Sequence, residues 1–276
     1  MNDALIQAIT VFLPTGYLVA TLLYGMAFAG ERAPNVERVR PHLVRLLLVL
    51  HAALLVLHGI AVGGFPVINT WLSVSAVALA MVGLFVLGTR RRDEATVGAL
   101  VLLAVGLLQL IASMFGPTTA QVSDQPSSAA TGTHVVTAAV AVAALILSGI
   151  YGFLYLTLLR QMKKHAFGPI FRQLPDLTQL ARMTRSSALA GFLGLTLGVN
   201  VGIGIAHANG TAGFHYTDPI VILALVLWLH FGVIAFSGKI RGVTAQRASF
   251  AAVAGLGVLV AMLLLAVTGA TFHTFS

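Results

Sequence analysis

No cysteine occurs anywhere in the chain. That absence excludes disulfides and every metal or redox site built on thiolate. Charge is almost as scarce: Asp, Glu, Lys and Arg together make up 9% of the 276 residues, against roughly 25% in a soluble domain. Hydrophobic residues make up 58% and the mean hydropathy is +0.95. A soluble fold of this size has too much surface to hide so much apolar area, so the chain reads as an integral membrane protein. It also lacks any Pro/Ser/Gly-rich linker long enough to separate a pair of folded regions, and residues 1–276 read as a single membrane domain.

What is present is a series of apolar runs. A membrane-spanning helix needs about 20 largely apolar residues, and eight stretches qualify: 4–28, 43–65, 70–89, 95–115, 134–159, 186–207, 218–237 and 247–271. The expected fold is all-α, a polytopic bundle of eight transmembrane helices. The start, "MNDALIQ", has no basic residues ahead of its apolar run and does not resemble a cleaved signal peptide. Turn chemistry separates the runs, as in "FPVIN" at 65–69 and "ANGTAGFHYTDP" at 208–219.

The sixteen basic residues occupy alternate connections only. Arg32, Arg38, Arg40 and Arg45 mark the first connection, and Arg90, Arg91 and Arg92 the third. The fifth holds Arg160, Lys163, Lys164, Arg172, Arg182 and Arg185, and the seventh Lys239, Arg241 and Arg247. Lys and Arg are retained on the cytoplasmic side, so odd connections are expected inside and both termini outside, across a bacterial cytoplasmic (inner) membrane. The net charge of +8 is therefore a topology signal, and no nucleic-acid partner is implied. In the fifth connection, Leu174, Leu177 and Leu180 recur at helical spacing beside basic residues, predicting a short helix at the interface.

This topology assigns depths to the histidines. His42 and His165 fall on the cytoplasmic side. His51 and His58, in "LVLHAALLVLHGIAVGG", are seven apart and share one helix face, about 10 Å apart along the axis. Their sequence neighbours are Leu, Val and Ala, which cannot satisfy an imidazole. His230, on the seventh span, is expected at the depth of His51. At the outer surface lie His134, His207, His215 and His273. Ionisable groups inside a bilayer are costly and usually mark function. Two neutral imidazoles from facing helices suit the axial positions of haem iron. Zinc is a poorer match, because the core holds no carboxylate or thiolate to complete its shell. The bland alternative is that these rings only hydrogen-bond across helices.

From residue 134 onward the sequence resembles the cytochrome c assembly protein family, of the CcsA and HemX type. The likeness runs through the His-led span "HVVTAAVAVAALILSGIYGFLYLTLLRQMKK" and the segment "LPDLTQLARMTRSSALAGFLGLTLGVNVGI". It continues in "HYTDP", where Asp218 and Pro219 stand with Trp228 ten residues after the Asp, and ends in "TGATFHTF". The first 130 residues match in their spans and in His51. The family's outward loop is Trp-rich, whereas 208–217 here reads "ANGTAGFHYT". The family's second inner histidine corresponds to about Ser237, and His230 stands two turns earlier.

The resemblance implies that His134 and His273 are outward haem ligands and that His51 is an inner one. It also places Asp218 and Trp228 near the haem. The combined expectation is a b-type haem-binding protein holding one or two haems, from His51 with His230 and from His134 with His273. His58 and His207 are alternative ligands at the outer level. Haem is then moved or presented at the outer face to a c-type cytochrome or a second assembly subunit. The rival readings are a fixed-haem electron-transfer subunit of a respiratory complex and a haem-free accessory protein. A stand-alone enzyme is disfavoured. Gly198 and Gly202 form a small-xxx-small pair suited to helix packing. Asn200 reads as a packing residue, Tyr151 and Tyr155 as interfacial or packing residues, and the partner common to every reading is membrane lipid.

Overall fold

Leu-, Ala- and Val-rich runs, cut at their ends by Gly, Pro and Asn, become eight α-helices in the computed structural model, which describes residues 2–28, 34–62, 70–88, 95–116, 129–165, 174–208 and 215–267. They are α1 (Asn2–Phe28), α2 (Pro34–Val62), α3 (Thr70–Gly88), α4 (Ala95–Phe115), α5 (Ala129–Lys163), α6 (Leu177–Ala208), α7 (Pro219–Ala235) and α8 (Ala245–Val267). Among the described residues there is no strand. Seven of the helices are long and apolar enough to cross a membrane, and α7 is shorter at 17 residues. The protein is an all-α polytopic membrane protein.

Several boundaries differ from expectation, and two of them have a visible local cause. The seventh span stops at Ala235 because the chain tightens there: the N–H of Phe236 returns to Gly232, and Ser237–Lys239 form a 3₁₀ turn. The predicted interfacial helix around Leu177 and Leu180 is instead the start of α6, which runs for 32 residues. Asp176 explains its onset: its carboxylate accepts the N–H of Gln179 at 2.7 Å and its carbonyl accepts that of Leu180. Leu180 is fully buried in the protein and does not face lipid.

The chain divides into two compact units, residues 1–127 with 160–175, and residues 128–159 with 176–276. In the first unit, α1 to α4 form a closed antiparallel four-helix bundle. α1 packs on α2 and α4, and α3 packs on the same two helices. Gly16 admits Leu47, Gly98 admits Tyr24, and Gly106 lies against the backbone of Tyr17, setting α2 and α4 close to α1. Lipid tails are as apolar as leucine, so close packing and hydrogen bonds must hold such helices together.

In the second unit, α5 to α8 enclose a core that includes Ala141, Leu145, Ala188, Leu227, Phe231, Ala252 and Leu259. Gly191 and Gly194 of α6 sit on Leu145 and Ala141 of α5, and Gly149 and Gly152 of α5 receive Leu256 and Ala252 of α8. These registers make α5 antiparallel to both α6 and α8. Tyr151 and Tyr155 are buried, which favours packing over an interfacial role. Phe192 of α6 stacks on Trp228 of α7, 5.1 Å between ring centres, and meets Phe236 edge-on.

Candidate functional site

His51 is the centre of a polar chain that draws on every helix of the first unit. Tyr17 (α1) lies 3.1 Å from His51 Nδ1, and Ser75 (α3) lies 2.9 Å from Nε2. The Ser75 hydroxyl donates to Gln109 Oε1 (α4) at 2.8 Å, and Gln109 Nε2 donates to Ser113 at 3.1 Å. Ser113 then donates to the carbonyl of Thr10 on α1 at 2.9 Å. Pro14 makes that last bond available. It has no N–H to offer the carbonyl four residues back, and that carbonyl belongs to Thr10. The directions are set from the far end. Because the Ser75 proton is committed to Gln109, Ser75 accepts from His51 Nε2–H, and His51 Nδ1 accepts from Tyr17. Both nitrogens of this fully buried ring are engaged.

Sequence alone points to the lack of charged partners for His51 and misses these uncharged ones. Their signal is present: Ser75 in "WLSVSAV" and Gln109 in "GLLQLIAS" are polar interruptions of apolar spans. Ser75 lies in the second turn of α3, and Gln109 within the last two turns of α4. Since α2 begins at Pro34, His51 is nearer the far end of its helix than counting from residue 43 predicts.

His58 is 3% exposed and donates Nδ1–H to the Leu54 carbonyl at 3.0 Å. Its Nε2 is buried and accepts no hydrogen bond among the described residues. In the second unit, His134 at the start of α5 donates Nδ1–H to the carbonyl of Gly198 on α6, 2.8 Å away. His230 on α7 donates Nε2–H to the carbonyl of Ala251 on α8, also at 2.8 Å. Each ring passes over a glycine four residues beyond the accepting carbonyl. A Cβ at Gly202 would stand 2.8 Å from His134 Cε1, and one at Gly255 would stand 3.0 Å from His230 Nε2. A helix carbonyl points toward the residue four ahead, so a side chain there screens its second lone pair. Glycine opens the approach.

His207, exposed at the end of α6, donates Nδ1–H to Ile203 at 3.0 Å and receives the Tyr216 hydroxyl at 3.2 Å on Nε2. Asp218 caps α7: its Oδ1 accepts the N–H of Ile220 at 2.9 Å, and Pro219 follows at the first helical position. Trp228 donates its indole N–H to Thr196 at 2.8 Å, clasping α7 to α6. Asn200 donates to Thr196 within its own helix. His273 lies outside the described residues. Antiparallel α5, α6 and α7 place His134, His207 and Asp218 at one end of the second unit, and α8 runs toward that end. His51 and His230 each hydrogen-bond inside their own unit.

Whether these rings suit an iron porphyrin depends on which nitrogen keeps its lone pair. His134 and His58 donate through Nδ1, which leaves Nε2, the outer nitrogen, as the electron-pair donor. His230 has the reverse arrangement, with the lone pair on Nδ1 beside its own Cβ. Holding a histidine by a backbone carbonyl in this way is the usual support of a metal-ligating imidazole. Among the described residues no three His, Asp or Glu side chains gather into a metal-binding cluster.

The sequence model of one protein family, described as Cytochrome C assembly protein, matches residues 41–273. The match begins within α2, so α1, which supplies Tyr17 and the Thr10 carbonyl, precedes it. No curated protein matches the chain.

Proposed function

The chain belongs to the cytochrome c assembly protein family, and from that premise we propose that it binds b-type haem by bis-histidine ligation, with His134 and His273 as the axial pair. A haem-related membrane role in cytochrome c biogenesis is what the family carries; the ligands and their consequences are our reading. The observation that supports it is the carbonyl-held ring of His134, whose Nε2 is the electron-pair donor. Neutral imidazole held in one tautomer is a good axial ligand. His273 follows α8, whose direction leads to the end of the unit that holds His134.

Haem on this reading is cargo, and the iron porphyrin is the group that a c-type apocytochrome must receive. The protein's role is to bind it, orient it and keep it accessible at the outer face of the membrane. His134 and His273 hold the iron. Asp218 shapes the neighbouring loop by starting α7, and Trp228 fixes α7 against α6. A second haem shared by His51 and His230 has less support. His51 would have to surrender Ser75 or Tyr17, and His230 would have to turn away from Ala251. The partners that fit are a c-type cytochrome or another assembly subunit on the outer side of a bacterial inner membrane.

Purification in mild detergent tests this directly. The intact protein is expected to show a low-spin, six-coordinate haem spectrum. His134→Ala and His273→Ala are each expected to turn it high-spin or lose the haem, with added imidazole restoring the low-spin bands. Unaltered spectra in both variants would remove the ligand pair.

A further inference from the structure

We infer that Gly202 is a positioning residue: with the Gly198 carbonyl it forms a seat that holds His134 in the Nδ1–H tautomer and so makes Nε2 the nitrogen presented to iron. The inference rests on the reading of His134 as a haem ligand. Sequence spacing alone makes Gly198 and Gly202 a helix-packing pair. The structure gives them different tasks. The Gly198 carbonyl accepts His134 Nδ1–H at 2.8 Å. Gly202 supplies empty space, since a Cβ there would fall 2.8 Å from Cε1 and 2.9 Å from Nδ1 of the same ring. Real Cβ atoms do not come so near a ring, so alanine at 202 displaces the imidazole or separates α5 from α6.

The chemistry gives the seat its consequence. A neutral imidazole has one N–H and one lone pair, and a carbonyl can only accept. Placing a carbonyl against Nδ1 puts the proton there and leaves the pair on Nε2. The ring of His230 shows the same device turned round: the Ala251 carbonyl accepts Nε2–H, and Gly255 leaves room for that ring and for Phe231 beside it. One arrangement, a carbonyl with glycine four residues on, thus sets opposite tautomers at the two rings. It assigns the outer nitrogen to ligation at His134 and commits it to a helix clasp at His230.

Three alanine variants separate this seat from ordinary packing. Gly198→Ala keeps its carbonyl, and its new Cβ would meet only the Thr137 hydroxyl at 3.3 Å and backbone beyond it. Gly204→Ala points into open space. Packing alone predicts that Gly202→Ala costs stability and leaves the His134 tautomer unchanged. The seat predicts that only Gly202→Ala matters. The readouts are the tautomer of His134 in the full chain, from ¹⁵N-histidine NMR assigned by loss of the signal in His134→Ala, and the haem spectrum. Wild type, Gly198→Ala and Gly204→Ala should show Nδ1–H. Gly202→Ala should lose it and bind haem about 10- to 100-fold more weakly, the usual effect of disturbing a ligand's support, with imidazole restoring the low-spin bands.

An Nε2–H tautomer in the wild type overturns the seat by itself, even if Gly202→Ala fails to accumulate. So does a Gly202→Ala protein indistinguishable from Gly198→Ala by both readouts. A wild-type chain with the Nδ1–H tautomer but no haem spectrum leaves the seat standing and removes the proposed ligand role of His134.

Discussion

Ser75 carries two hydrogen bonds with one hydroxyl, accepting from His51 and donating to Gln109. Removing it leaves two buried groups without partners, and a buried donor or acceptor left unpaired costs about 1–3 kcal/mol. Ser75→Ala should therefore lower the thermal unfolding midpoint in detergent, while Ser75→Thr, which keeps the hydroxyl, should recover much of the loss. An unchanged midpoint for Ser75→Ala would mean that the polar chain does not hold the bundle. Single residues also show a physical role that a family likeness does not supply. Asp218 and Trp228 entered through resemblance to a haem-handling family, and in the structure one caps α7 and the other ties α7 to α6. The likeness located both residues, and the hydrogen bonds say what each does.

At the scale of helices, glycines decide how near two axes come. Gly194 of α6 rests on the backbone of Ala141, with a prospective Cβ 3.1 Å from its Cα, and backbone cannot rotate away as a side chain does. Gly194→Ala should destabilise the second unit by about 1–3 kcal/mol, the usual cost of overpacking. Gly257 of α8 is exposed, with nothing within 4 Å of the position. There alanine should be neutral or stabilise by up to about 1 kcal/mol through helix propensity. Thermal unfolding of the two variants side by side tests the contrast, and equal midpoints would refute it. α1 shows a different element-level effect. Pro14 removes one internal hydrogen bond from the helix, and the bundle reuses the exposed carbonyl as the end of the chain through His51.

Across the whole molecule, the alternation of basic residues predicts the side of every connection. Cysteines placed at Ser123 and Thr211 should react with a membrane-impermeant thiol reagent in intact cells, and one at Thr89 should not. The chain has no native cysteine to confuse the result. The reverse pattern would exchange the two faces and move the proposed haem end to the cytoplasm. Either way the division into a four-helix unit and a second unit stands, because it is set by which helices pack together.

The amino-acid sequence by itself determined the membrane class, the number of helices and most of their limits. Hydrophobic run length and the cost of unpaired backbone in lipid leave a spanning segment of this kind little choice but helix. It also singled out His51, His58, His134, His207 and His230 as polar rings in apolar or boundary positions. Only the tertiary structure decided what those rings hold. Tyr17, Ser75 and Gln109 meet His51 from three other helices, and the Gly198 carbonyl meets His134 from 64 residues away. A hydrogen bond is won or lost within a few tenths of an ångström, and such registers depend on where each helix settles against its neighbours. Spacing along one chain does not record them.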